Sequence, residues 1–350
     1  MDISKLKQLE LVLVTCYKNP DLDGYASAYA YAEYLQKRGV KAVAAISGKI
    51  NDETSYIVKK HKIEELPSAR KFIEKADAII LVDASDTIGI DEDIKPAKVI
   101  QIIDHRTHND IDSFKKAEVL IETIGATSTL IAEFFIETNT PMSPESTVLL
   151  YAGIMSNTVN LRAKVTANRD KRTAMWLTTK YEFPTDFIEK MFKAKSAHKD
   201  KTVYEILEEH LATFKFHRAR VAIIVVEMNE AEKFVAKNID DILKGLRRLE
   251  KKYEVHHIFL KVIDLGNPHH FFVAEELETQ KMLIKSFQVE FEDNIAFTTH
   301  MLLKKEMTPV LRHHFEGKEF DLAAVRPKDF NHFTRHHDEE EEEMSEPAVL

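Results

Sequence analysis

Apolar residues fall in short runs through the first half of the chain: LELVLVTC (9–16), VKAVAAI (40–46), DAIILVD (77–83), KVIQIID (98–104) and AEVLIET (117–123). Runs of this length read as strands buried on both faces. Between several of them lie segments with helical spacing, among them ASAYAYAEYLQKRG (26–39) and ETSYIVKKH (53–61). Apolar strands alternating with helices predict an α/β domain, a parallel sheet with helices on both faces. Segments 127–138, 144–156 and 169–180 read as successive helices, and KTVYEILEEHLATFK, around 200–215, as a further helix bridging two domains. The four tyrosines of 25–34 divide between two sides of their helix, which predicts packing on both sides.

The second half restarts a mixed pattern. HRARVAIIVVEM (217–228) and VHHIFLKVID (255–264) read as strands, with NEAEKFVAKNIDDILKGLRRLEKKY (229–253) helical between them. HHFFVAEE and NIAFTTHMLL add strands around a helical ETQKMLIKSFQ, giving a smaller α/β domain. Lys304 and Lys305 are expected on a late strand or loop. The histidine pairs at 269–270, 313–314 and 336–337 are expected at solvated positions. DEEEEE (338–343) is a like-charge block that cannot bury apolar surface, so residues 331–350 read as a disordered acidic tail.

Composition narrows this picture. With 350 residues, 44% of them hydrophobic, the chain can build two cores. A formal charge of −9 gives no strong nucleic-acid signal. The lone Cys16 excludes an internal disulfide and is expected to pack as a small residue. The N-terminus MDISKLKQLE has no apolar stretch of signal-peptide length, and no run reaches the ~18 residues of a membrane helix. These features predict a cytoplasmic protein without a membrane partner.

The chemistry collects where strands end. NPDLDG follows the first strand, LVDASD the third and IIDHR the fourth. In an open parallel sheet, ligands bind beyond the carboxyl ends of the strands. A single aspartate there is most simply a cap or turn residue. Three acidic ends, with His105 directly after Asp104, point instead to convergent donors for a divalent cation. Asp21, Asp23, Asp83 and His105 are the candidate ligands, and Asp86 reads as a capping group. GATST (125–129) opens a helix whose free N–H groups favour an anion, although Ser or Thr capping alone explains the same sequence.

This ordered set resembles the DHH phosphoesterase superfamily, in the branch of family II inorganic pyrophosphatases, exopolyphosphatases and Prune. KNPDLD is similar to the first pyrophosphatase motif, HKNPDTD, after its histidine. LVDASD and IDHR stand for the second and third motifs, and YAGIMSNTVNLRAKVTANRDKRTAMWL resembles the fourth. IGATSTLIAEFF, FKAKSAHKDKTVYEIL and LLKKEMTPVL resemble further family segments, the last two bracketing a DHHA2-type domain. The resemblance spans residues 9–312. It implies a DHH domain over 1–195 and a DHHA2-type domain over 196–330, with a helical linker at its start.

The resemblance also implies site residues. Asp21, Asp23, Asp83, His105 and, as an extra oxygen donor, Asn157 would hold one or two ions, Mn²⁺ or Mg²⁺, with Co²⁺ an alternative. Asp104 would orient the site, and Arg106 would act on and bind the substrate phosphate. Lys304, Lys305, Lys199 and Lys201 would bind phosphate oxygens, and Lys193 and Lys195 could reach the same cleft. Four positions depart from the family: Tyr17 replaces a histidine ligand, Asn157 an aspartate, Arg106 the second histidine of the triplet, and Leu303 an arginine. His108 is a candidate stand-in for the missing histidine.

The reading is a metal-dependent hydrolase of a phosphoanhydride or phosphoester, whose substrate is a phosphate-containing small molecule such as pyrophosphate, short polyphosphate or a nucleotide. Its rival, favoured by the replaced ligands, is a catalytically silent phosphate or nucleotide sensor or a protein-interaction module. A homodimer and a basic partner for the acidic tail stay open.

Overall fold

The computed structural model describes residues 3–105, 110–197, 201–217 and 219–317, with the backbone alone at 305. The tail and its expected disorder therefore lie outside the described residues.

The first sheet contains β1 (Val12–Thr15), β2 (Ala42–Ala44), β3 (Ala78–Val82), β4 (Val99–Asp104) and β5 (Glu118–Ile121), in the order β2-β1-β3-β4-β5. Every neighbouring pair is parallel. β1 and β3 are buried along their whole length, which is why they read as unbroken apolar runs. Val12, Val14, Ile80 and Val82 face one core, while Leu13, Ile79 and Leu81 face another, closed by Ile73, Ile90, Ile94 and Phe114. The order reverses between β1 and β3, so a crevice opens at their carboxyl ends.

Six helices accompany this sheet: α1 (Leu22–Lys37), α2 (Asp52–Lys60), α3 (Thr127–Glu137), α4 (Pro144–Asn157), α5 (Asn168–Thr178) and α6 (Phe187–Lys195). α1 is almost wholly buried, and Tyr25, Tyr31 and Tyr34 pack as the pattern predicts. α6 was not legible in the sequence.

The second sheet is mixed. It contains β6 (Leu211–Phe216), β7 (Ala219–Met228), β8 (His257–Asp264), β9 (His270–Val273), β10 (Phe291–Glu292) and β11 (Ile295–Thr298), in the order β10-β11-β9-β8-β7-β6. β7 and β8 run parallel through the crossover helix α8 (Ala231–Tyr253), and the other pairs are antiparallel. α7 (Val203–Glu209), α9 (Leu277–Phe287) and α10 (Lys304–Phe315) complete the described elements.

Three expectations fail here. The helix expected over 200–215 is two elements: α7 opens on a reciprocal Thr202–Glu205 cap, and residues 211–216 pair with β7 from Leu211–Ile224 to Phe216–Ala219. Cross-strand pairing overrides a helical spacing that LATFK alone satisfies. Lys304 and Lys305 open α10 rather than lying on a strand or loop; Glu306 caps the helix by accepting from the Leu303 N–H at 2.8 Å. His270 is not solvated but 1% exposed, with Nδ1 accepting from the Asp264 N–H at 3.1 Å. Cys16 is buried as expected. No described helix is long and apolar enough to cross a membrane.

The two sheets meet through polar contacts as well as apolar ones. The Arg162 guanidinium donates to the Leu265 carbonyl, the Asn229 N–H donates to Ser196 Oγ at 2.8 Å, and Lys195 pairs with Glu227 at 2.7 Å.

Candidate metal centre

The chain leaving β1 turns at Asn19 and Pro20 and enters α1 with Asp21 as its N-cap. Asp21 Oδ1 accepts from the Gly24 N–H at 3.0 Å. One residue inside the helix, Asp23 points the other way, into the interior, where it is 1% exposed. Gly24 lies at a close approach: a Cβ there would stand 3.3 Å from both Asp83 Oδ2 and the Tyr17 ring, so these side chains would have to yield slightly. The helix start can thus lie directly against the end of β3.

Asp83 directly follows β3, with its N–H bonded to the Ile103 carbonyl at 2.8 Å. Its φ of 54° is in the left-handed region, which costs a non-glycine residue on the order of 1–2 kcal/mol. That conformation turns the carboxylate toward α3, where Oδ1 accepts from Thr127 Oγ1 at 2.9 Å.

His105 follows β4. Its Nδ1 lies 3.0 Å from the Ile124 carbonyl, which can only accept, so the proton sits on Nδ1 and Nε2 keeps a lone pair. Nε2 lies 3.6 Å from Asp83 Oδ1 and 3.9 Å from Asp23 Oδ2. Asp104 does not enter this group. It accepts from Ser85 Oγ at 2.5 Å and from the His105 N–H at 2.7 Å, fixing the backbone from which the imidazole projects.

Asp23, Asp83 and His105 therefore converge, with donor atoms within 4.8 Å of one another, and all three are buried. Among the described residues no other set of three His, Cys, Asp or Glu side chains does so. The donor set fits a divalent cation. Two buried carboxylates repel each other, and a neutral imidazole nitrogen offers its lone pair to the same point. Burial, reinforced by the neighbouring charge of Asp21, pushes the Asp23 carboxyl up to about 7 despite hydrogen bonds from Ser128 and Thr127.

GATST, expected to favour an anion, does so with an internal one. The Thr127 and Ser128 N–H groups at the start of α3 donate to Asp23 at 2.9 and 2.8 Å. Sequence spacing could not have announced this pairing, since Asp23 and Thr127 are 104 residues apart.

Asn157 reaches the group, but with hydrogens. Its Nδ2 donates to Asp23 Oδ2 at 2.9 Å and to the Gly125 carbonyl at 3.0 Å, and lies 3.2 Å from His105 Nε2. Turning the amide would set its oxygen against the Gly125 carbonyl. Asn157 supplies donors where an aspartate would supply acceptors.

Tyr17 accepts from the Asp21 N–H at 2.9 Å through its hydroxyl. Burial first, then the charges of Asp21 and Asp83, hold its pKa well above the usual phenol range, so it stays neutral and a poor ligand. Asp21 is not one of the three converging groups. Asp86 caps a turn, accepting from the Gly89 N–H at 2.7 Å.

Of the expected phosphate-binding side chains, those of Lys304 and Lys201 are described. Lys304 Nζ donates to the His210 carbonyl at 2.6 Å, and burial lowers its pKa. Lys201 pairs with Glu209 at 2.6 Å. Arg106, His108, Lys199 and the Lys305 side chain lie outside the described residues.

Sequence reasoning set Lys195 among the lysines near the cleft but missed the cluster it belongs to. Glu53 of α2, Ser156 of α4, Lys195 of α6 and Glu227 of β7 meet beside this centre. Their signal was the NDET helix start and the serine directly before Asn157, neither of which stands out without the fold.

Comparison with known proteins agrees with this geometry. The DHH family N-terminal domain matches residues 11–154 and the DHHA2 domain residues 189–314. A manganese-dependent inorganic pyrophosphatase of Methanothrix thermoacetophila is 30% identical over 309 residues, covering 87% of this chain and 98% of that protein. A Clostridium acetobutylicum protein assigned the same activity is 27% identical, covering 88% of this chain and 99% of its own. A solved Methanococcus jannaschii structure, assigned as a family II inorganic pyrophosphatase, aligns with TM-score 0.68 at 26% identity, covering 87% of this chain and all (100%) of that one. The chain belongs to the DHH superfamily, within the family II inorganic pyrophosphatase group.

Proposed function

We propose that this chain is a metal-dependent hydrolase of phosphoanhydride bonds, with pyrophosphate, short polyphosphate or a nucleotide as substrate and Mn²⁺ or Mg²⁺ as cofactor. The observation that carries this reading is the convergence of Asp23, Asp83 and His105 Nε2 at the carboxyl ends of β1, β3 and β4. The names of the relatives support Mn²⁺ and a diphosphate.

When bound, the cation would supply a nucleophile at neutral pH and neutralise phosphoryl oxygens. Asp23, Asp83 and His105 would hold it. Ser85 and Asp104 position His105 through its backbone, and the Ile124 carbonyl keeps the proton off Nε2. In this reading Asp21 sits at the mouth of the centre and assists ion binding, Arg106 contacts the phosphate, and Lys304 with Lys305 stabilises charge developing on it. Lys199 and Lys201 are weaker candidates for the same role. The reading divides the chain into 1–195, 196–330 and a tail.

Phosphate release tests it, measured on purified protein with pyrophosphate, polyphosphates and nucleotides in Mn²⁺, Mg²⁺ or Co²⁺. Release should depend on the metal and vanish in Asp83→Ala. A silent phosphate sensor is the second reading, favoured by the hydrogen that Asn157 donates to Asp23 and by its amide nitrogen lying 3.2 Å from His105 Nε2. Metal and diphosphate binding without release would establish the sensor and refute the hydrolase.

A further inference from the structure

Lys195 ends α6 and reaches into the space between the two sheets. Its Nζ lies 3.8 Å from Glu53 Oε2 and donates to Ser156 Oγ at 3.2 Å, both groups of the first domain's helices. It also lies 2.7 Å from Glu227 Oε2, which comes from the end of β7 in the second sheet. Glu53 is 1% exposed, and its Oε1 has no hydrogen-bond partner among the described residues.

The cluster adjoins the metal centre. Ser156, which accepts from Lys195, directly precedes Asn157, whose Nδ2 donates to Asp23 Oδ2 at 2.9 Å. Burial pushes the Glu53 carboxyl up to about 7 even though Lys195 and Ser156 oppose the shift. Burial also works against the charge of Lys195, yet Glu227 and Glu53 outweigh it and keep the ammonium firmly protonated. A permanent cation thus stands beside the centre, with its accessible side occupied by a carboxylate that belongs to the other domain.

We propose that Lys195 binds a phosphoryl oxygen of the substrate and that Glu227 is the internal anion the substrate displaces. The contact between Lys195 and Glu227 is a charge-assisted hydrogen bond of the kind a phosphoryl oxygen also makes. The two side chains keep 25% and 23% of their surface in solvent, so this pair can exchange partners, while Glu53 on the opposite side is buried. Glu227 belongs to the second domain, so its release would break one of the contacts that tie that domain to the first. The inference rests on the reading of the protein as one that takes phosphate compounds, and it assigns a further binding residue and its competitor.

Calorimetric titration of the full chain in Mn²⁺ with imidodiphosphate, a diphosphate that resists hydrolysis, tests it. Glu227→Gln removes the competitor and should tighten binding by roughly threefold to tenfold. Lys195→Met should weaken binding, and in that background Glu227→Gln should give no gain. If Lys195→Met leaves Glu53 too poorly compensated to fold, Lys195→Arg serves instead; it keeps the charge, so the gain from Glu227→Gln should persist. Wild-type binding that Glu227→Gln leaves unchanged or weakens overturns the proposal, and shows Glu227 to be a positioning group. An equal gain with and without Lys195 also overturns it. If neither wild type nor Glu227→Gln binds imidodiphosphate, the functional reading falls along with the inference.

Discussion

At the residue scale, Asn157 donates to Asp23 and Tyr17 stays a neutral phenol, so these are the two positions at which to test the hold on an ion. Both were legible in the sequence as departures, because the flanking motifs fix their positions. What could not be read was the direction of the Asn157 amide, set by the Gly125 carbonyl 32 residues away. Tyr17→His with Asn157→Asp should tighten Mn²⁺ about tenfold, each single change doing less. Asn157→Asp should also lower the melting temperature of the metal-free protein, since a carboxylate then faces Asp23; added Mn²⁺ should restore it. Titration calorimetry with paired thermal melts checks both. Lys261 gives a separate test, of stability rather than function. It sits on β8 fully buried, its Nζ without a hydrogen-bond partner among the described residues and 4.0 Å from the Phe272 ring centroid. Burial lowers its pKa well below the lysine range, so the folded chain binds fewer protons than the unfolded one. Wild-type stability therefore falls as pH drops below the unfolded lysine pKa, about 10.4. Lys261→Met should stabilise by roughly 1–3 kcal/mol at neutral pH. The gain should shrink toward pH 10, as denaturant melts across that range will show.

Elements explain why the ligands converge. Parallel strands place Asp83 and His105 on neighbouring carboxyl ends, and the apolar runs made those ends legible. The role of α3 was legible only in part, as an anion-favouring helix start; the fold supplies the anion, Asp23. Asp170 of α5 anchors that start. Its carboxylate accepts from the Gly125 N–H at 2.8 Å, from the Ala167 N–H at 2.7 Å and from Thr129 Oγ1 at 2.6 Å. Asp170→Ala leaves two buried donors and the half-buried Ala167 N–H unmatched and should cost about 3–5 kcal/mol. Mn²⁺ affinity should fall with it, because Thr127 and Ser128 lose their placement against Asp23. Chemical denaturation and metal titration of the same variant check the pair of effects, and a destabilised variant with unchanged affinity would separate α5 from the centre. Where element reading failed, over 211–216 and at 304–305, the residues fit two local patterns and long-range partners chose between them. LATFKF becomes a strand because β7 is there to pair with it, and the lysines open a helix because Glu306 caps its first turn.

For the whole molecule, we propose one cation among Asp23, Asp83 and His105, at the carboxyl ends of the first sheet. The two-domain division was legible from the restart of strand patterns after residue 217. The contacts tying the halves, Arg162 to the Leu265 carbonyl and Lys195 to Glu227, join residues more than 30 positions apart and left no local trace. The most direct test is anomalous diffraction from crystals of the protein grown with Mn²⁺. The account predicts a manganese peak bonded to Asp23, Asp83 and His105 Nε2 at roughly 2.0–2.3 Å, lost in crystals of Asp83→Ala. Manganese bound elsewhere, or no peak at this centre in crystals saturated with Mn²⁺, would contradict it.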